Sequence, residues 1–305
     1  MAHKFLIGVF LIAAVVFVSC TESVNIVGDN DPYSSFNVSD IKIENYINRI
    51  YIDIIGREPL DTELVAEVAF LKNSDLSRES REVIIRKLMT DTSYRANEFS
   101  YKAAYVQNLY NLAKIRCLEG VSDDEFNRRI GIARFAATKD SLNGNWDSYW
   151  KNLNEIRRYN AVIDSRQALY DGLLDFHQIF AFMVDNGAYD VINMNTFNFV
   201  RATYDELLFR LPTQQEYDRA FNMIEYNQTE ELFGQLGSDK NDYIRILIES
   251  SGMLEGMVIW AYQVLLNRPP TPEEVVTQMA DYAFTKDIDP VILKILVTDE
   301  YANFR

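Results

Sequence analysis

The sequence predicts an all-α fold. From residue 41 onward, apolar residues recur at three- and four-residue steps, the period of one helix face. No run alternates apolar and polar residues as a half-buried strand would. Only 7 Pro and 12 Gly interrupt 305 residues, of which 48% are hydrophobic and 13% aromatic, enough for a sizeable core.

The elements follow in chain order. Lys4 and the uncharged 14-residue run Phe5 to Val18 make residues 1–19 read as a removable leader, short for a membrane-spanning helix. Small Ser19 precedes Cys20. The stretch resembles a bacterial lipoprotein signal, which implies that Cys20 is acylated and becomes the first mature residue. Phe17 departs from the Leu usual in that family. The alternative is an ordinary secretory leader with an incidental Cys. Thr21 stands where an Asp would signal inner-membrane retention in enteric bacteria, so outer-membrane anchoring through the lipid on Cys20 is expected, on the periplasmic face or the cell surface. Residues 20–40 include "TESVNIVGDNDPYSSFNVSD", which has no apolar period and reads as a tether of about 25 Å typical span.

Residues 41–140 read as an N-terminal helical lobe. Ile43, Tyr46, Ile47, Ile50, Tyr51, Ile54 and Ile55 form one face, with Gly56 placed as a C-terminal cap. A second helix is expected over 61–72. Ser77 caps a third, with Val83, Ile84 and Leu88 inward. Tyr101, Ala104, Tyr105, Asn108, Leu109 and Leu112 mark a fourth. "SDDE" at 122–125 is a capping box for a helix to about Thr138. "LNGN" at 142–145 is a break. Residues 141–305 read as a C-terminal lobe. Trp146, Tyr149, Trp150, Leu153 and Ile156 open one helix. Leu169, Leu173, Phe176, Phe180 and Met183 mark another, ending near Gly187.

One pattern occurs three times: "IIGREPLDTE" at 54–63, "LLFRLPTQQE" at 207–216 and "LLNRPPTPEE" at 265–274. Each is followed by a further helical segment, so the expected unit is helix, Arg-x-Pro turn, helix, loop, helix, with two of the three units at 196–254 and 255–305. Pro59, Pro212 and Pro270 are read as ending the incoming helix. Thr213 with Glu216, and Thr271 with Glu274, form capping boxes for the outgoing one, and Asp61 is a substitute cap in the first copy. Arg57, Arg210 and Arg268 are placed to meet the last carbonyls and dipole of the incoming helix, or to fork onto a carboxylate. A structural role is preferred to a bound anion, because a catalytic motif rarely recurs three times in one chain.

The segment from "YINRIYIDIIGREP" through "REVIIRKLMTDTSYRANEF", residues 46–99, resembles the uncharacterised N-terminal domain of planctomycete envelope proteins that are often fused to cytochrome-type domains. The turn is also similar to those of phycobilisome linker domains and helical secreted repeat domains. The resemblance implies helical scaffold modules and no catalytic residue set. The Cys-x-x-Cys-His haem attachment of the fused proteins is missing.

Formal charge is −15, and losing Lys4 with the leader makes the mature chain more acidic, so nucleic acid is excluded as a partner. The chain has two cysteines; with Cys20 lipidated, Cys117 has no internal partner and reads as a buried thiol. His177, placed within a helix, is the one histidine outside the leader, too few for a multi-His metal site, and it reads as structural. No phosphate loop, dinucleotide fingerprint or nucleophile elbow is present. The expectation is a protein that is no enzyme and needs no cofactor or metal. Trp146, Tyr149 and Trp150 share one side of a helix and read as either core or a binding surface. "KDSL" at 139–142 resembles the Asp-Ser-aliphatic O-glycosylation site of Bacteroidetes exported proteins, on Ser141. The function expected is an accessory or scaffold subunit contacting envelope proteins, an outer-membrane barrel or other lipoproteins. The alternative is a surface glycan-binding lipoprotein of an uptake system.

Overall fold

The computed structural model describes residues 38–95 and 98–304. Cys20, the leader and all of the tether but its last three residues lie outside the described residues. The fold is all-α. The helices are α1 (Asp40–Ile55), α2 (Asp61–Asn73), α3 (Arg78–Thr90), α4 (Tyr101–Leu118), α5 (Asp123–Leu142), α6 (Trp146–Tyr170), α7 (Ile179–Val184), α8 (Gly187–Ile192), α9 (Thr196–Leu208), α10 (Gln214–Tyr226), α11 (Lys240–Glu249), α12 (Ser251–Leu266), α13 (Pro272–Thr285), α14 (Asp289–Leu296) and α15 (Asp299–Ala302).

Helix α1 buries the apolar face the periodicity predicts, Ile43 through Ile55, and Gly56 closes it with φ 73°. Ser77 caps α3 as expected, its side chain accepting from the Ser80 amide at 3.2 Å. Val83 points outward, however, and Ile85 takes the inner place beside Ile84 and Leu88. Ser122 caps α5 by accepting from the Glu125 amide at 3.1 Å.

Further expectations are corrected. Helix α6 stops at Tyr170, where Gly172 turns the chain with φ 69°, and Leu173 is exposed. His177 therefore sits in a 3-10 turn, Phe176–Gln178, ahead of α7. Gly187 opens α8 rather than ending a helix, because the Asn186 side chain accepts from the amides of Ala188 and Tyr189 at 2.9 and 3.1 Å. A small antiparallel hairpin is also present: β1 (Glu230–Leu232) pairs with β2 (Gln235–Gly237). Its two loop residues, Phe233 and Gly234, both have positive φ, 50° and 76°, the type I′ pattern. Three-residue strands are too short to show alternation, and Phe is not a usual turn residue.

The described residues cluster as one unit, and the ends of the described chain meet. The Tyr46 hydroxyl donates to the Leu296 carbonyl at 3.2 Å, and Arg49 to the Tyr301 carbonyl at 2.9 Å. The Tyr301 hydroxyl donates to Asp53 at 2.7 Å, and Arg81 pairs with Asp299 at 2.9 Å. At the crossing of α9 with α12 a side chain at Gly256 would collide with the Leu207 carbonyl, so the backbones touch. The 140/141 boundary between the expected lobes falls at the tip of the α5–α6 hairpin.

Candidate functional site

The three Arg-x-Pro turns share one set of bonds. Each incoming helix ends before the proline is reached, at a left-handed residue: Gly56, Phe209 and Asn267 have φ 73°, 53° and 54°. The prolines do not stop those helices. Pro59, Pro212 and Pro270 instead lie directly ahead of the N-caps Leu60, Thr213 and Thr271. Each Arg donates to the carbonyl of its neighbour, Glu58, Leu211 or Pro269, at 2.8, 3.1 and 3.1 Å. Each also forks onto the Glu six residues on. Arg57 holds Glu63 at 2.8 and 3.0 Å, Arg210 holds Glu216 at 2.8 and 2.5 Å, and Arg268 holds Glu274 at 2.8 and 2.7 Å. The same Glu accepts from the N-cap amide at 2.8, 2.8 and 2.7 Å. Arg therefore serves the start of the outgoing helix, not the carbonyls of the incoming one. Leu60 is the N-cap of α2, so Asp61 lies inside the helix and does not replace the missing Thr.

A tyrosine six residues before each Arg completes the unit. The guanidinium lies over Tyr51, Tyr204 and Tyr262 at 5.8, 5.1 and 5.3 Å from the ring centres. Glu67 and Gln278 approach the Tyr51 and Tyr262 hydroxyls at 3.5 Å, whereas Ala220 occupies the matching place and the Tyr204 hydroxyl is unpartnered. The first and third turns gain a second carboxylate, Glu98 at 3.2 Å from Arg57 and Glu300 at 2.7 Å from Arg268. Burial raises the Glu63 pKa, but hydrogen bonds from Arg57, Tyr101, the Leu60 amide and Arg95 outweigh it and bring it to about 2. The Arg210 and Arg268 bonds hold Glu216 and Glu274 at about 2 as well. Each of the three guanidinium groups is thus committed to internal carboxylate and carbonyl partners, while the Tyr204 hydroxyl of the second turn and the Gln278 Oε1 of the third stay unpaired.

The aromatic segment behaves differently. Helices α5 and α6 form an antiparallel hairpin, and α5 packs chiefly on α6, while α6 also rests on α4 and α7. The buried residues of α6 are Tyr159, Val162 and Ser165, so its first thirteen residues, 146–158, bury nothing fully. With a helical rise of about 1.5 Å per residue, that stretch extends roughly 20 Å. At its end the rings of Trp146 and Tyr149 meet edge-on at 5.7 Å, and Tyr149 and Trp150 at 5.2 Å. Trp146 is 56% exposed and Trp150 64%. A core role is therefore ruled out for both. Gly144, with φ 74°, makes the turn, and Asn152 bonds Asp140 across the hairpin at 3.0 Å. Ser141 lies in the last turn of α5, its hydroxyl donating to the Thr138 carbonyl at 2.9 Å.

Of three exposed apolar residues on α5 that escaped the sequence reading, Ile132 is 57% exposed and Phe135 and Leu142 more so, 76% and 82%. Phe135 and Leu142 stand seven positions apart, two turns along one helix face. The signal was available, since Phe126, Ile130, Ala133 and Ala137 define the opposite, buried face.

Cys117 is buried beside Glu206, and burial pushes its thiol well up. Burial also raises Glu206 to about 7, although Tyr189 donates to it at 2.8 Å. No group of three His, Cys, Asp or Glu among the described residues is arranged to hold a metal ion. No described helix is long and apolar enough to cross a membrane. Comparison of the chain with known protein families, with curated proteins and with solved structures finds no match.

Proposed function

We propose that this chain is a non-catalytic envelope protein, anchored to the outer membrane through Cys20, that acts as an accessory or scaffold subunit of a larger complex. One observation carries the reading. Trp146, Tyr149 and Trp150 are held against one another at the end of a hairpin, with both tryptophans more than half exposed. Exposed, preorganised Trp and Tyr supply contact area at small entropic cost and dominate many interfaces. The rest of the fold supports a rigid mount. The three forked turns tie their helices through Arg–Glu pairs, in keeping with the scaffold modules that residues 46–99 resemble.

A second reading is favoured by the same rings. Tryptophan faces also receive sugar rings, so a surface glycan is the alternative ligand, and Ser141 would be an O-glycosylation site near the same tip. The test is recovery of the native protein in mild detergent, followed by mass spectrometry. Co-purification of an outer-membrane barrel or another lipoprotein, lost in Trp146→Ala/Trp150→Ala, supports the scaffold. Recovery of the protein alone, with retention on immobilised polysaccharide, overturns it in favour of the glycan binder.

A further inference from the structure

A cleft of about 570 Å³ opens between α7 and α11, with Lys286, the residue after α13, at its edge. That volume is within the range of small-molecule sites. Its walls are apolar for a reason visible in α7, which reads IFAFMV. Ile179, Phe180, Met183 and Val184 are buried, and the half-buried Ala181 and Phe182 line the cleft together with the buried Ile244 and Ile248 of α11.

His177 lines the same cleft. It is 2% exposed and its Nδ1 has no hydrogen-bond partner. Buried polar atoms are nearly always paired, so this nitrogen is a group that a ligand can satisfy. Burial, with the nearby Lys286 charge, holds the imidazole pKa down at about 4, so at neutral pH the ring is uncharged and carries one N–H.

The charges around the cleft are mostly committed. Asp185 pairs with Arg158 at 2.9 Å, and Arg245 with Glu249 at 3.5 Å. Lys286 is exposed and makes no ion pair among the described residues. One uncommitted cation, one neutral ring donor and an apolar wall suit a ligand with a hydrocarbon body and a single negative charge. A phosphate dianion would need more donors than these.

We propose that this cleft binds a small amphipathic monocarboxylate, its hydrocarbon against Phe182, Ile244 and Ile248 and its carboxylate at Lys286 and His177. The site is separate from the aromatic tip, so its failure would leave the scaffold reading untouched. The probe is octanoate, added to residues 20–305 carrying Cys20→Ala, in which His177 is the sole histidine. Its ring ¹H–¹⁵N signals report the site directly. Octanoate is expected to shift them saturably, octanol to bind at least tenfold more weakly, and Lys286→Met to weaken octanoate binding at least tenfold. Ala181→Trp, which fills the cleft, should abolish it. The proposal is overturned if octanoate leaves the ring signals unmoved, if octanol binds as tightly, or if Lys286→Met binds octanoate unchanged. Should either variant fail to fold, the octanoate–octanol comparison on the otherwise unaltered chain decides alone.

Discussion

Arg268 holds Glu274 through two parallel bonds, 2.8 and 2.7 Å long, while the same carboxylate accepts the Thr271 amide at 2.7 Å. One carboxylate thus ties a turn to the helix that follows it. The arrangement recurs at Arg57–Glu63 and Arg210–Glu216, but the surroundings differ. The Glu63 side chain is 10% exposed and serves Arg57, Arg95 and Tyr101 together, whereas Arg210 is 42% exposed and has Glu216 as its one ion-pair partner among the described residues.

Unequal costs follow for the three turns. Arg210→Ala should lower stability by less than about 1 kcal/mol, since solvent screens an exposed pair. Glu63→Ala leaves two guanidinium groups short of an acceptor and should cost about 2–4 kcal/mol. Arg57→Ala and Arg268→Ala, which break one partner of a shared network, should fall between. Urea unfolding of the four variants orders them. Equal losses at all three turns would mean that the extra carboxylates Glu98 and Glu300 contribute nothing.

Stability should peak in mildly acid solution. Glu63, Glu216 and Glu274 have folded pKa values depressed to about 2, so their contribution is complete above the usual carboxylate range and lost as pH falls from about 4.5 towards 2. Burial gives Glu206 a raised value of about 7 and Asp289 one of about 6. A raised carboxyl works the other way: the folded state holds the proton more tightly, and stability declines as pH rises from about 4.5 through 7. His177, depressed to about 4, opposes that decline only below its ordinary pKa near 6.5. Melting curves of Glu206→Gln should flatten between pH 6.5 and 7.5. An unchanged slope there would contradict the buried position of Glu206.

Trp146→Ala and Trp150→Ala should each change unfolding free energy by no more than about 0.5 kcal/mol, as surface substitutions do. Burial would instead predict a loss of roughly 3–5 kcal/mol. The double variant should keep its melting temperature and lose partner recovery. A large drop from either single change would remove the hairpin tip as an interface.

Gly256→Ala should cost about 1–3 kcal/mol, because the added methyl meets the Leu207 backbone and α12 must move away from α9. Gly131→Ala is the control, with open space around it on α5, and should be neutral or slightly stabilising. Thermal melts of the two separate the packing effect from helix propensity.

Cys20→Ala should release the protein from the membrane fraction, since several acyl chains at roughly 0.8 kcal/mol per buried methylene anchor firmly. Cell fractionation in high salt reads the outcome. Persistence in the pellet would mean that something other than a lipid on Cys20 holds it there.

Much of the secondary structure was legible because its causes are local. The buried face of α1 follows from apolar spacing alone, and Ser77, Ser122, Thr213 and Thr271 announce helix starts through side chains that reach only three residues. The hairpin at 230–237 and the 3-10 turn at His177 were not legible. Each is shorter than the period needed to recognise it, and Phe233 takes a left-handed conformation that composition does not suggest.

The sequence by itself determined that the chain is helical, where its longer helices begin, and that Trp146, Tyr149 and Trp150 share one side of a helix. It could not say whether that side met the core. Periodicity fixes which residues stand together but not what another segment, distant in sequence, brings to cover them. Only the tertiary structure decided this: α5 is the chief neighbour of α6, and both tryptophans stay more than half exposed. It likewise turned three Arg-x-Pro motifs into three Arg–Glu forks, and brought Glu98 and Glu300 to two of them, because ion pairs depend on where separate segments come to rest.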